Sequence, residues 1–140
     1  MVMRIMGLDV GEKRIGVALS DPLGWTAQGH SVVLRRNTDA DLQALAQIAG
    51  ENQVERVVIG FPRNMNGTVG FKAQEIQKFG QMLEQTLKLP VEYWDERLST
   101  VSAEKVLIAA DVSRKKRKGV IDMLAAVNIL QNYLDRQAHK

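Results

Sequence analysis

With 140 residues, 45% hydrophobic and 25% charged, the chain is long enough for one packed core and has the composition of a soluble globular protein. It contains no cysteine, which excludes disulfides and thiolate zinc sites, and no apolar run of membrane-spanning length. The net charge of +3 is local: "SRKKRK" at 113–118 holds five of the 19 Lys and Arg residues, leaving 14 cations against 16 acids elsewhere.

The N-terminus, "MVMRIMGLDV", lacks the long apolar core and cleavage site of a secretory signal, so a cytoplasmic protein is expected. Residues 4–10 and 14–20 are short apolar runs joined by "GEK", which predicts a hairpin of two strands covered on both faces. "HSVVLRR" at 30–36 reads as a third strand. A helix follows from Thr38, capped by Thr38 or Asp39, because Leu42, Leu45, Ala46 and Ala49 recur at helical spacing. "ERVVIG" at 55–60 is a buried strand, and a second helix presents Ile76, Phe79, Leu83 and Leu87. "VEYWDE" at 91–96 is a fifth strand, and a third helix after Ser99 or Thr100 presents Ala103, Val106, Leu107 and Ala110. The cationic run at 113–118 reads as a mobile loop, and "VIDMLAAVNILQNYL" as a final helix. No internal repeat or low-complexity linker interrupts residues 1–140, so a single domain is expected.

Hairpin strands followed by alternating helix and strand imply an α/β protein with a five-stranded mixed sheet flanked by helices. This is the element order of the ribonuclease H-like fold.

Acids on three segments sit where their surroundings do not suit them. Asp9 ends the apolar first strand, Asp95 and Glu96 end the fifth, and Asp122 shares a helix face with Ala125, Ala126 and Ile129. An ionised carboxylate in such a place is costly unless it is paired or binds a metal. Taken singly, each has an ordinary use: Asp9 as a turn cap, Asp122 as an early-turn helix acid, and Asp95 or Glu96 as a partner of Arg97 or Arg14. Taken together, the carboxylates meet at one sheet edge if the first and fifth strands lie near each other and run in the same direction. An oxygen-only cluster then suits Mg²⁺ or Mn²⁺, and two such ions serve phosphodiester hydrolysis. His30, placed at the opening of the third strand, and His139 in the tail offer no competing site.

"GLDVGEKRIGVALSD", "GFPRNMNGT", "DERLST" and the final helix together resemble the YqgF family of pre-16S rRNA nucleases, also described as Holliday-junction-resolvase-like. The resemblance spans about residues 4 to 134. It implies a ribonuclease H-like fold, metal-dependent phosphodiester hydrolysis, and a role in maturing the 5′ end of small-subunit ribosomal RNA. The family's acids match Asp9, Glu96 and Asp122, with Asp95 as a substitute or supporting ligand. Mg²⁺ or Mn²⁺, two ions with substrate bound, is the implied cofactor.

On this reading Lys13, Arg14 and Arg97 approach substrate phosphates. Asn64, Asn66 and Thr68 lie in a loop after a strand, where ligands bind in such sheets. Arg114, Lys115, Lys116, Arg117 and Lys118 would contact a phosphate backbone. The expected partner is nucleic acid, with RNA favoured, in the context of the small ribosomal subunit precursor. No membrane is involved, and the chain is expected to be a monomer or weak homodimer. A junction-cutting DNA endonuclease, a nucleotide phosphatase or ATPase, and a non-catalytic ribosome-binding factor remain alternatives. The last leaves three misplaced carboxylates unexplained, because acids repel phosphate unless a cation intervenes.

Overall fold

The computed structural model describes residues 4–62, 70–95 and 114–138, of which 114–119 and 138 are described by backbone alone. In chain order the elements are β1 (Arg4–Val10), β2 (Arg14–Ser20), β3 (Ala27–Leu34), α1 (Thr38–Glu51), β4 (Val54–Phe61), α2 (Phe71–Leu87), β5 (Val91–Asp95) and α3 (Arg114–Ala138). The predicted helix carrying Ala103, Val106, Leu107 and Ala110 falls outside the described residues.

The strands form one sheet in the order β3-β2-β1-β4-β5. The β1–β2 and β2–β3 pairs are antiparallel, while β4 is parallel to both β1 and β5. This is the mixed five-stranded sheet expected from the element order. The parallel pairing has a functional consequence: β1, β4 and β5 all end at the same edge.

Alternation along β1 divides its side chains between two cores. Met6, Leu8 and Val10 join Leu42, Leu45, Ile76, Phe79 and Leu83 beneath α1 and α2. The intervening side of the sheet meets α3, where Ala18 and Val58 pack with Ala126, Ile129, Leu130, Tyr133 and Leu134. With both faces covered, β1 and β2 read as nearly continuous apolar runs.

Helix α3 lies close to the sheet because two positions lack a side chain. A Cβ on Gly7 would come within 2.7 Å of Leu130 Cβ, and one on Gly16 would overlap the Asp122 carbonyl oxygen. Gly16 is also the register partner of Asp9. The close approach therefore brings the Asp122 turn of α3 onto the end of β1.

Three element boundaries differ from those read in the sequence. β3 spans Ala27–Leu34 rather than 30–36, because Ala27 and Gln28 pair with Ser20 and Leu19. His30 thus lies within the strand rather than at its opening. The other end is cut short where the Arg36 amide donates to the Asp41 carboxylate instead of to a strand. The cap of α1 is Asn37, whose side chain accepts from the Ala40 amide, rather than Thr38 or Asp39.

The third difference is the largest. Residues 114–118, expected as a loop, form the first turns of α3. Lys and Arg are good helix formers, and the run contains no proline to stop the helix before the apolar segment. A helix of 25 residues spans roughly 37 Å, so its cationic end extends past the sheet edge on the same element that carries Asp122.

Candidate active site

Asp9 is next to last in β1, on the face that receives α3. It is partly buried, and burial together with the nearby charge of Asp122 pushes its carboxyl up to about 6. Lys72, in the first turn of α2, acts in the opposite direction but does not cancel the shift. Two carboxylates thus converge at the carboxyl end of β1, close enough that one resists ionisation of the other.

Arg14 meets the second of them. Its Nε donates to Asp122 Oδ2 at 2.5 Å, with the two side chains 31% and 24% exposed. Arg14 opens β2 two residues before Gly16, so it faces α3 and sits diagonally across the hairpin from Asp9. Among the described residues no arginine pairs with Asp9 in this way. The donor set of Asp9 and Asp122 is oxygen alone, and it repels itself. Such a pair fits Mg²⁺ or Mn²⁺, which bind through a few carboxylates and water. Among the described residues no group of three or more His, Cys, Asp or Glu forms a metal cluster. The third acid of the expected set, Glu96, lies outside the described residues, as does Arg97.

Asp95 closes β5 opposite Phe61 in the register with β4. The preceding Trp94 packs with the α3 core, and Tyr93 contacts Phe61 on the other side. Alternation therefore places Asp95 at the same sheet edge as Asp9 but on the α1/α2 face. Lys13 is exposed in the hairpin turn, where its carbonyl accepts from the Arg35 amide. Asn64, Asn66 and Thr68 lie outside the described residues, as do the side chains of Arg114, Lys115, Lys116, Arg117 and Lys118.

Two features of this edge escaped the sequence reading. Lys72 is one: nothing in its local pattern separates it from other surface lysines, and only the docking of α2 brings its charge toward Asp9. The other is a brace built on Asp41, which is 2% exposed. Arg35 Nε donates to Asp41 Oδ2 at 3.2 Å, while Arg35 Nη1 donates to the Gly11 carbonyl at 2.9 Å. The same guanidinium lies over the Phe79 ring at 5.2 Å. One cation thereby ties the hairpin turn beside Asp9 to α1 and α2. In the sequence Asp41 is only one of two acids in the first turn of α1, and nothing there separates it from Asp39.

Comparison with known proteins agrees with the geometry. The model of the RuvX family, described as Holliday junction resolvase, matches residues 3–136. A protein of Syntrophomonas wolfei named "Putative pre-16S rRNA nuclease" is 61% identical over 133 residues, covering 95% of this chain and 94% of its own length. One of the same name from Heliobacterium modesticaldum is 60% identical, covering 98% and 92%. Among solved structures, Thermus thermophilus RuvC in complex with Holliday junction substrate superposes with a TM-score of 0.61 at 13% identity, covering 97% of this chain and 96% of that one. The fowlpox virus Holliday junction resolvase gives 0.57 at 15% identity, covering 96% and 99%. At those identities the structural likeness carries the fold, which is ribonuclease H-like.

Proposed function

This chain belongs to the RuvX family, and we propose that it is a divalent-metal-dependent nuclease that hydrolyses phosphodiester bonds in precursor small-subunit ribosomal RNA. The observation that carries the reading is the convergence of Asp9 and Asp122 at the carboxyl end of β1. The names of the relatives support the RNA substrate. We assign Asp9 and Asp122 as ligands of Mg²⁺ or Mn²⁺, completed by Glu96 from the segment after β5; Asp95, expected from the sequence as a supporting ligand, lies on the α1/α2 face and is not assigned to the ion. Bound there, the metal supplies an activated water and neutralises charge on the leaving oxygen.

The protein's own groups hold and orient the substrate. Arg14 and Lys13 stand at the hairpin turn, where a phosphate entering the edge meets cations before it meets carboxylates. The five cations at 114–118 extend the positive field along α3, and its amino-terminal end adds the helix dipole with the same sign. Asn64, Asn66, Thr68 and Arg97 complete the proposed substrate contacts. We further propose that the protein works in the cytoplasm as a single-domain enzyme, monomeric or weakly dimeric.

Labelled precursor rRNA, an unstructured RNA and a four-way DNA junction, each with Mg²⁺, Mn²⁺ or chelator, test the reading. Wild type should cut the precursor RNA only with metal, and Asp9→Asn and Asp122→Asn should bind it without cutting. Cutting of the junction alone would keep the site and replace the substrate. RNA binding without cleavage under every condition would leave a binding factor.

A further inference from the structure

We infer that Arg14 is the resident counter-ion of Asp122 in the free enzyme, competing with the divalent metal and thereby coupling metal binding to substrate binding. The inference rests on the proposed metal site and adds a device to it.

The argument begins with charge and reach. Asp9 and Asp122 bring two negative charges together, and the Arg14 guanidinium is in direct contact with Asp122 at 2.5 Å. That contact occupies Asp122 Oδ2, one of the oxygens a metal would use. A metal ligated there must displace the guanidinium or accept a full positive charge close by. At a water-like effective dielectric of roughly 50 to 80, a repulsion across about 5 Å is worth roughly tenfold to hundredfold in the affinity of a divalent ion. The pair is a third exposed on the arginine side, so the side chain is free to swing outward rather than being locked in a core.

Substrate changes the balance. Arg14 lies at the hairpin turn beside the sheet edge, and its planar fork binds phosphate as readily as carboxylate. A phosphate arriving there takes the guanidinium from Asp122 and frees the oxygen for metal. By reciprocity, the same coupling makes metal favour substrate. The free enzyme then holds metal loosely, and the loaded site assembles when nucleic acid is present. A purely structural role predicts the reverse: removing Arg14 would loosen α3 over Gly16 and weaken metal binding.

The test is Mn²⁺ titration of the full chain, with free Mn²⁺ read by electron paramagnetic resonance. It is run with and without a saturating 2′-O-methyl oligonucleotide, which keeps its phosphate oxygens and resists cleavage. Arg14→Gln should bind Mn²⁺ at least tenfold more tightly than wild type when alone, and gain less from the oligonucleotide. Arg14→Lys, which keeps the charge on a shorter fork-free head, should lie between them and guards against misfolding of the glutamine variant. Equal or weaker Mn²⁺ binding by both variants, with wild-type binding lost in Asp9→Asn, overturns this inference alone. Absence of Mn²⁺ binding from wild type and both Arg14 variants, with and without oligonucleotide, overturns the metal site and this inference together.

Discussion

Replacing Asp9 with Asn should stabilise the metal-free protein, although it removes a residue central to the proposed chemistry. The carboxyl is raised from 3.8 to about 6 by burial first and by Asp122 second. A native-state value above the unfolded one means that the folded protein retains a proton which the unfolded chain releases. Stability therefore falls as pH rises from about 4 through 6, and the full loss is present above that window. The shift corresponds to about 3 kcal/mol, an upper value because an amide in this place must still find hydrogen-bond partners. For a chain of this size that is roughly 10 °C in melting temperature. Urea unfolding of wild type and Asp9→Asn in chelator, from pH 4 to pH 8, is the assay. The variant should match wild type near pH 4 and gain steadily until about pH 7. Saturating Mg²⁺ should cancel or reverse the gain, because only wild type offers the full ligand set. A variant less stable than wild type at pH 7.5, or a difference that does not change with pH, would refute the account of Asp9 as a strained, desolvated acid.

Other consequences follow from particular contacts. Gly16→Ala places a methyl group on the Asp122 carbonyl, so α3 must lift; about 2–3 kcal/mol should be lost by urea midpoint, and cleavage should fall with it. Tyr133→Phe removes hydrogen bonds to Glu92 and Arg56 at the opposite end of the parallel strands. It should cost about 1 kcal/mol and leave the rate of cleavage unchanged in a single-turnover assay. Changing Lys115, Lys116 and Lys118 together to Gln should flatten the salt dependence of RNA binding. The slope of log affinity against log salt should drop by about 2, while cleavage of bound RNA continues.

The fold was legible because its signals are repeated along the chain. Strands covered on both faces announce themselves as apolar runs, and the inner face of α2 was readable from Ile76, Phe79 and Leu83, all buried. The parallel course of β1 and β5, on which the carboxylate argument depended, is present, with β4 between them. Asp122 was legible for a similar reason: an acid among small apolar residues on a helix marks a face lying against a sheet.

What escaped the sequence reading depends on single contacts. Arg14 was assigned to phosphate or to Asp95 or Glu96, and no local rule directs it to a residue 108 positions away. The cationic run was read as a loop because charge suggested solvent, yet helix propensity and continuity with the apolar segment prevail. Asp39 was the nearer candidate for a cap, whereas Asn37 makes that bond and Asp41 turns inward to Arg35. For Arg14 and for the cap, residues of similar chemistry compete, and the tertiary packing chooses between them.

The claim on which everything else depends is that Asp9 and Asp122 form one cation site. Carbon-13 NMR of the aspartate carboxyl groups during a Mg²⁺ titration tests it without reference to any substrate. Both resonances should move with a single shared affinity, and the titration of Asp9 near pH 6 should fall toward the ordinary carboxylate range as the ion binds. Mg²⁺ that moves neither resonance, or moves only acids elsewhere on the surface, would contradict the account.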